Sequence, residues 1–572
     1  MKAHLISRLA LIGFGALALA PLSRAQAQIA GDWQGTLDTG GPQLHLVLHV
    51  AAAKDGSFTA TLDSIDQGAN GIPVTTVTLK DTKLRLIVDA VHGSYEGRVN
   101  KGGTEIDGTW SQGMPLELKF KRVAAQTKAA PKPTAPSDID GAWQGTLDVG
   151  AAKLRTVFKI VNTQDGLTAQ VQSPDQSPAW ISASSVSRNG SALTITLKGV
   201  GTTFDGRISA DLSSIDGTFT QMGNRAPLAL KRMKDQSAVE PRRRPQNPVK
   251  PYPYHEEEVT YANKAGGNTL AGTLTVPPGK GPFPAVLLIS GSGPNDRDES
   301  LLGHKPFLVL SDYLTRQGIE VLRADKRGVG KSTGDLATAT TADFATDAEA
   351  GVAFLKTRSE VDPRKIGLIG HSEGGVVAPM AAAADPGVAF VVMMAGDGVP
   401  GDQIIVEQTR LIAQAAGVSK EKAAESAAQE RELLALVETE KDETVLTKEL
   451  REKLAHDGVP EGQIGMAIKA FISPWYRYFL TYDPATALRK VACPVLAIDG
   501  SLDLQVPPAQ NLPAIRKALE EGGNKYFEIE VLPGLNHLFQ TAKTGAVSEY
   551  GEIEETISPL ALDKIANWIL KQ

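Results

Sequence analysis

The chain has 572 residues, too many for one hydrophobic core, with an ordinary globular balance of 42% apolar and 22% charged residues. A formal net charge of -6 gives no electrostatic reason for nucleic acid or an anionic membrane surface as partner. The single cysteine, Cys493, excludes an intrachain disulfide and a thiolate metal cluster.

Lys2 and Arg8 precede an apolar run from Leu9 to Leu22, and Ala25-Gln26-Ala27 follows. This is the layout of a secretory signal peptide over residues 1–27, and the run is too short to span a bilayer. Cleavage after Ala27 would release a secreted or periplasmic chain with no membrane span.

Beyond the leader the sequence repeats itself. Ile29-Ala30-Gly31-Asp32-Trp33-Gln34-Gly35-Thr36-Leu37-Asp38 returns as Ile139-Asp140-Gly141-Ala142-Trp143-Gln144-Gly145-Thr146-Leu147-Asp148, and Ile106-Asp107-Gly108-Thr109-Trp110 as Ile215-Asp216-Gly217-Thr218-Phe219. The constant offset of about 110 residues marks two tandem modules, 28–123 and 138–234, joined by a linker at 124–137. Alternating runs such as Leu44 to Val50 and Ala192 to Leu197 read as antiparallel strands, so each module is an all-β barrel or sandwich. Trp33 and Trp143 read as core residues, and His45 and His49 as a solvated polar face rather than metal ligands. The modules offer binding or spacing, with no ligand legible. A second linker at 235–253 is rich in proline and holds Arg242-Arg243-Arg244, read as solvated charge.

From Tyr254 strands alternate with helices, the pattern of a mostly parallel sheet covered on both faces. Pro284 to Ser290 is a continuous apolar strand that ends in Gly291-Ser292-Gly293-Pro294, where glycines let backbone N–H groups approach a ligand. Gly330-Lys331-Ser332 mimics a phosphate loop, but such a loop needs glycine where this chain has Asp325. The apolar strand Ile366 to Ile369 runs into Gly370-His371-Ser372-Glu373-Gly374 and then a helix, which is a nucleophile elbow with Ser372 at its tip. Residues 401–482 are helical and highly charged, an insertion placed to cap the site, with aromatic residues from Trp475 to Tyr482 that suit an acyl pocket or an anchor for the cap.

The sheet resumes at Pro494 to Asp499 and at Tyr526 to Leu532, with Asp503 and His537 in the loops that follow. Serine, acid and histidine in that order, each past a strand end, give Ser372, Asp503 and His537 as a triad. Asp499 and Asp397 compete for the acid's place, and Asp503 is preferred because it lies out in the loop. His371 reads as a turn residue rather than the base. The backbone N–H groups of Ser292 and Glu373 would form the oxyanion hole.

Residues 254–572 resemble an α/β-hydrolase of the serine-aminopeptidase-like and EstD-type esterase branch. The resemblance rests on Gly291-Ser292-Gly293-Pro294-Asn295-Asp296-Arg297-Asp298, Gly370-His371-Ser372-Glu373-Gly374, Ser473-Pro474-Trp475 and Asp503-Leu504-Gln505-Val506-Pro507-Pro508. It implies a cofactor-free hydrolysis of a small-molecule ester through an acyl-serine, with a peptidase of the same fold or an inert binding protein as alternatives. One departure is Ser290-Gly291 where many such hydrolases carry His-Gly.

Overall fold

The computed structural model describes residues 29–123, 135–234 and 242–572, except 39–43, 54–56, 66–68, 89–90, 92, 112–114, 150–152, 177–179, 222 and 460. The expected leader, most of the first linker and the start of the second lie outside the described residues.

In the first module the opening strand Gly31–Leu37 pairs with both Leu44–Ala52 and the closing strand Pro115–Val123. The second module repeats the device: Gly141–Asp148 pairs with Lys153–Thr163 and Asn224–Arg232. Joining first strand to last removes an exposed edge. The two copies meet where Trp180 and Ile181 pair with Asn70 and Ala69, so their strands form one continuous hydrogen-bonded system.

Each module is built around its tryptophan. Trp33 and Trp143 are fully buried, and each indole N–H donates to the carbonyl at the start of its own repeat, Ile29 at 2.8 Å and Ile139 at 3.0 Å. Arg122 and Arg232 lie over the two rings at 4.4 and 4.7 Å, so the cation–π contact is duplicated with the sequence. The core reading of both tryptophans agrees with this packing.

Two readings of polar residues need correction. His49 is not simply solvated, because its two ring nitrogens bond Asp32 at 2.8 Å and Asp63 at 3.1 Å. The arginine run is not free in solvent either: Arg242 pairs with Asp175, and Arg244 donates to the carbonyls of Leu302, Gly551 and Ile553. The planar guanidinium, with its several fixed donors, matches loop carbonyls that composition alone does not reveal.

In the C-terminal half, numbered from its own first strand, eight strands form one sheet. They are β1 (His255–Asn263), β2 (Asn268–Val276), β3 (Phe283–Ile289), β4 (Glu320–Ala324), β5 (Val361–His371), β6 (Phe390–Met394), β7 (Val495–Gly500) and β8 (Phe527–Leu532). Their order is β1-β2-β4-β3-β5-β6-β7-β8, antiparallel through β1, β2 and β4 and parallel from there on. The continuous apolar strands are as the sequence predicts.

Helices cover both faces. Residues of α1 (Pro306–Arg316) and α11 (Pro559–Ile569), such as Leu310, Leu314, Ile565 and Trp568, bury one side of the sheet. Those of α2 (Thr341–Leu355), α3 (Gly374–Ala384) and α10 (Pro508–Glu521), among them Phe344, Val377, Ala381 and Ile515, bury the other. Between β6 and β7 stand α4 (Gly401–Ala415), α5 (Lys420–Thr439), α6 (Glu443–His456), α7 (Glu461–Phe471) and α8 (Pro474–Thr481), followed by the short α9 (Ala485–Leu488).

The inserted helices have a core of their own, with Leu434 and Val437 of α5 packed among Leu446, Leu450 and Ile468. Their starts are encoded locally. Ser419, Asp442 and Ser473 each accept a backbone N–H of the first turn, which supplies partners the helix cannot.

Candidate active site

The sheet delivers four chain segments to one edge: the loop after β3, the turn after β5 and the loops after β7 and β8. In a parallel sheet the carboxyl ends of the strands are where loops can gather reacting groups.

Ser372 follows β5 directly and takes φ +54°, a left-handed conformation that costs a non-glycine residue energy. The turn is held by the Ser372 N–H on the Met394 carbonyl and the Gly375 N–H on the Ser372 carbonyl. The glycines are required by close approach: a Cβ on Gly370 would lie 1.8 Å from the Gly374 carbonyl oxygen, and one on Gly374 would lie 2.0 Å from that of Ile289. Any side chain at either position would push the elbow off the sheet.

His537 and Asp503 are both buried, and His537 Nδ1 meets Asp503 Oδ2 at 2.6 Å. Asp503 Oδ1 also accepts the N–H groups of Gln505 and Val506. Burial pushes the Asp503 carboxyl up, yet the imidazole and these donors leave it below the usual carboxylate range. A carboxylate on Nδ1 keeps the proton there and leaves Nε2 as the basic nitrogen. Neither Ser372 Oγ nor His537 Nε2 has a hydrogen-bond partner among the described residues.

The competing acids are placed differently. Asp499 is the penultimate residue of β7, with Oδ1 on the Gly500 N–H. Burial, and then the neighbouring Asp503 charge, raise its pKa well above the carboxylate range. Asp397, buried between sheet and inserted helices, is likewise pushed up to about 8 by burial and by the charges of Glu373 and Asp503. Neither has a hydrogen bond to His537.

His371 belongs to this region in a way the sequence did not indicate. Fully buried, it meets Glu299 Oε1 through Nδ1 at 3.1 Å and the His537 carbonyl through Nε2 at 3.0 Å. Burial lowers its pKa, but Glu299 outweighs that and brings it up to about 8. The folded value lies above the ordinary 6.5, so its stabilisation is complete below about pH 6.5 and is lost as pH rises through about 8. Urea unfolding of the parent is expected to lose about 2 kcal/mol from this group between about pH 6 and 9, and His371→Gln to lack that component. An identical slope in both proteins would contradict the assignment.

The residues named for the oxyanion site lie against the serine. A Cβ on Gly291 would sit 3.2 Å from the Ser372 Cβ, which puts the Gly291-Ser292 peptide beside the elbow. The N–H groups of Ser292 and Glu373 have no acceptor among the described residues. The side chain of Glu373 is buried and fully occupied by Lys326 at 2.9 Å, Thr341 at 2.8 Å and Trp475 at 2.7 Å.

Trp475 therefore ties the inserted helices to the residue that follows Ser372. Its ring stacks on Phe479 at 5.4 Å, and Phe479 and Tyr482 close a cavity of about 10 Å³ against Asp397 and Glu373. Of the two uses foreseen for these aromatics, anchoring has the contacts. Gly330-Lys331-Ser332 is also spoken for: Ser332 Oγ donates to the Asp325 carbonyl, and Lys331 pairs with Glu258.

A family model for X-Pro dipeptidyl-peptidases (S15 family) matches residues 266–529. Esterase EstD of Thermotoga maritima is 28% identical over 327 residues, 56% of this chain and 69% of that protein. Among solved structures, DcsB in complex with its substrate analogue covers 56% of this chain and 98% of its own at 18% identity and a TM-score of 0.35. The Pyrococcus furiosus esterase Pf2001 covers 56% and 91% at 15% identity and a TM-score of 0.34.

By strand order and by its relatives the C-terminal half is an α/β-hydrolase. The chain is a hydrolase similar to the EstD-type esterase branch, as its loop and elbow motifs imply.

Proposed function

We propose that this chain is an exported serine hydrolase that cleaves small-molecule carboxylic esters through an acyl-serine intermediate. The observation that carries the reading is the buried His537–Asp503 hydrogen bond of 2.6 Å together with a serine held at φ +54° next to His371, whose ring meets the His537 carbonyl at 3.0 Å. Ser372 Oγ attacks the ester carbonyl while His537 Nε2 takes its proton. Asp503 holds the imidazole in the required tautomer and stabilises its cation. The N–H groups of Ser292 and Glu373 receive the oxyanion, each such donor being worth roughly 10²–10³ in rate.

Collapse expels the alcohol, which leaves with the proton from His537. Water then attacks the acyl-serine with His537 again as base, and the acid departs. The apolar leader at residues 1–27 supports export, and the domain limits 28–123, 138–234 and 254–572 supply units for dissecting the chain.

A peptidase reading is kept because the S15 family model matches residues 266–529. A panel of short and long nitrophenyl esters against aminoacyl and dipeptidyl nitroanilides separates the two. The ester reading expects turnover of the esters at least about 10²-fold more efficient in kcat/KM than of any nitroanilide. The reverse preference would establish the peptidase.

A further inference from the structure

The loop after β4 was met in the sequence only as a false phosphate-loop signal, yet it places Lys326 beside both expected oxyanion donors. Its side chain is 7% exposed, and its ammonium donates to two groups at once: the carbonyl oxygen of Gly291 at 2.8 Å and Glu373 Oε2 at 2.9 Å. It also sits 4.0 Å from the centre of the Phe344 ring. Asn295 Nδ2 adds a second donor to the Gly291 carbonyl at 2.8 Å.

The Gly291 carbonyl and the Ser292 N–H belong to the same peptide unit. The cis peptide bonds are those before Pro251 and Pro282, so this one is trans and its C=O and N–H point in opposite directions. Whatever fixes the carbonyl fixes the N–H. With the oxygen drawn toward Lys326 and Asn295, the Ser292 N–H is turned away from them and has no protein acceptor among the described residues. A cation on the oxygen also polarises the amide, which strengthens its N–H as a donor.

The second hand of Lys326 holds Glu373, whose own N–H is the other donor, and through Glu373 it reaches Trp475 of the inserted helices. Gly291 is gripped from its other side as well, its N–H donating to Glu299 Oε1 at 2.7 Å.

We propose that Lys326 is a positioning residue of the oxyanion site: by holding the Gly291 carbonyl and the Glu373 carboxylate together it sets the direction and donor strength of the Ser292 N–H. The inference rests on the acyl-serine reading above. Because oxyanion donors act on charge that develops only in the transition state, losing the grip lowers kcat and spares KM.

Lys326→Met alone leaves the buried Glu373 carboxylate unpaired, so the decisive protein is Lys326→Met combined with Glu373→Gln, which keeps the Glu373 backbone N–H and removes the orphaned charge. Its melting temperature reports folding. The expected result is a fall in kcat of about 10²-fold with KM within about threefold, and an inhibition constant for an alkyl boronic acid, whose trigonal boron becomes a tetrahedral anion when Ser372 Oγ adds to it and gives up its proton to His537, that rises in step with the loss in kcat/KM.

Asn295→Ala, which removes the other side-chain donor to the same carbonyl from a half-buried loop, is expected to lower kcat about tenfold in the same pattern. The parent kcat in the double variant would overturn the inference and reduce Lys326 to a counter-ion for Glu373. So would an unchanged kcat in Asn295→Ala if the double variant does not fold. Failure of the acyl-serine reading itself shows elsewhere, as ester hydrolysis retained by Ser372→Ala with Lys326 intact.

Discussion

Ser372→Ala is expected to lower kcat/KM for nitrophenyl acetate by about 10⁵-fold while leaving the melting temperature within a few degrees of the parent. The loss is large because the hydroxyl is the bond-forming atom, and the remaining groups can then only stabilise attack by water. The fold is spared because Ser372 contributes its backbone to the turn, through the Met394 carbonyl and the Gly375 N–H, and these contacts do not involve Oγ. Alanine must adopt φ +54° at that position, as serine already does, so the strain is common to both proteins. Activity within tenfold of the parent would remove Ser372 from the mechanism.

Asp503→Asn is expected to cost about 10⁴-fold in kcat with little change in overall structure. An amide at this position turns either a donor or a weaker acceptor toward Nδ1, so the imidazole loses both its fixed tautomer and the charge that stabilises its protonated form. The substitution also removes the charge beside Asp499, whose raised pKa owes most to burial and next to Asp503. Asp499 cannot take over, because its Oδ1 accepts the Gly500 N–H and its buried Oδ2 has no hydrogen-bond partner among the described residues, so neither oxygen meets His537. Steady-state kinetics across pH tests this. Parent-like kcat in Asp503→Asn would transfer the role to Asp499 or Asp397.

Much of the C-terminal fold was legible because its signals are local. The apolar run Ile366 to Ile369 is a strand buried on both faces, the glycines around Ser372 mark close backbone approach, and the charged stretch from Gly401 to Tyr482 breaks the strand and helix alternation where the inserted helices stand. The tandem modules were legible for a different reason: repetition of the Gly-x-Trp opening copies the same indole hydrogen bond and the same arginine over the ring.

What was missed depends on pairs far apart in the chain. Lys326 meets a carbonyl 35 residues away, and His371 meets Glu299 across 72 residues and the His537 carbonyl across 166. No periodicity encodes such contacts. A basic residue just past the β4 strand end, facing a glycine-rich loop and the acid of the elbow, was the available signal for Lys326. The docking of Arg244 onto Gly551 and Ile553 spans more than 300 residues and left only a charge run in the sequence.

The central claim is that Ser372 carries the acyl group. The most direct measurement is the intact and peptide mass of the full chain after treatment with a fluorophosphonate probe. The account predicts one adduct per chain, on the peptide that contains Ser372, absent in Ser372→Ala and slowed in Asp503→Asn. Ester hydrolysis by a chain that acquires no adduct at Ser372 would contradict it.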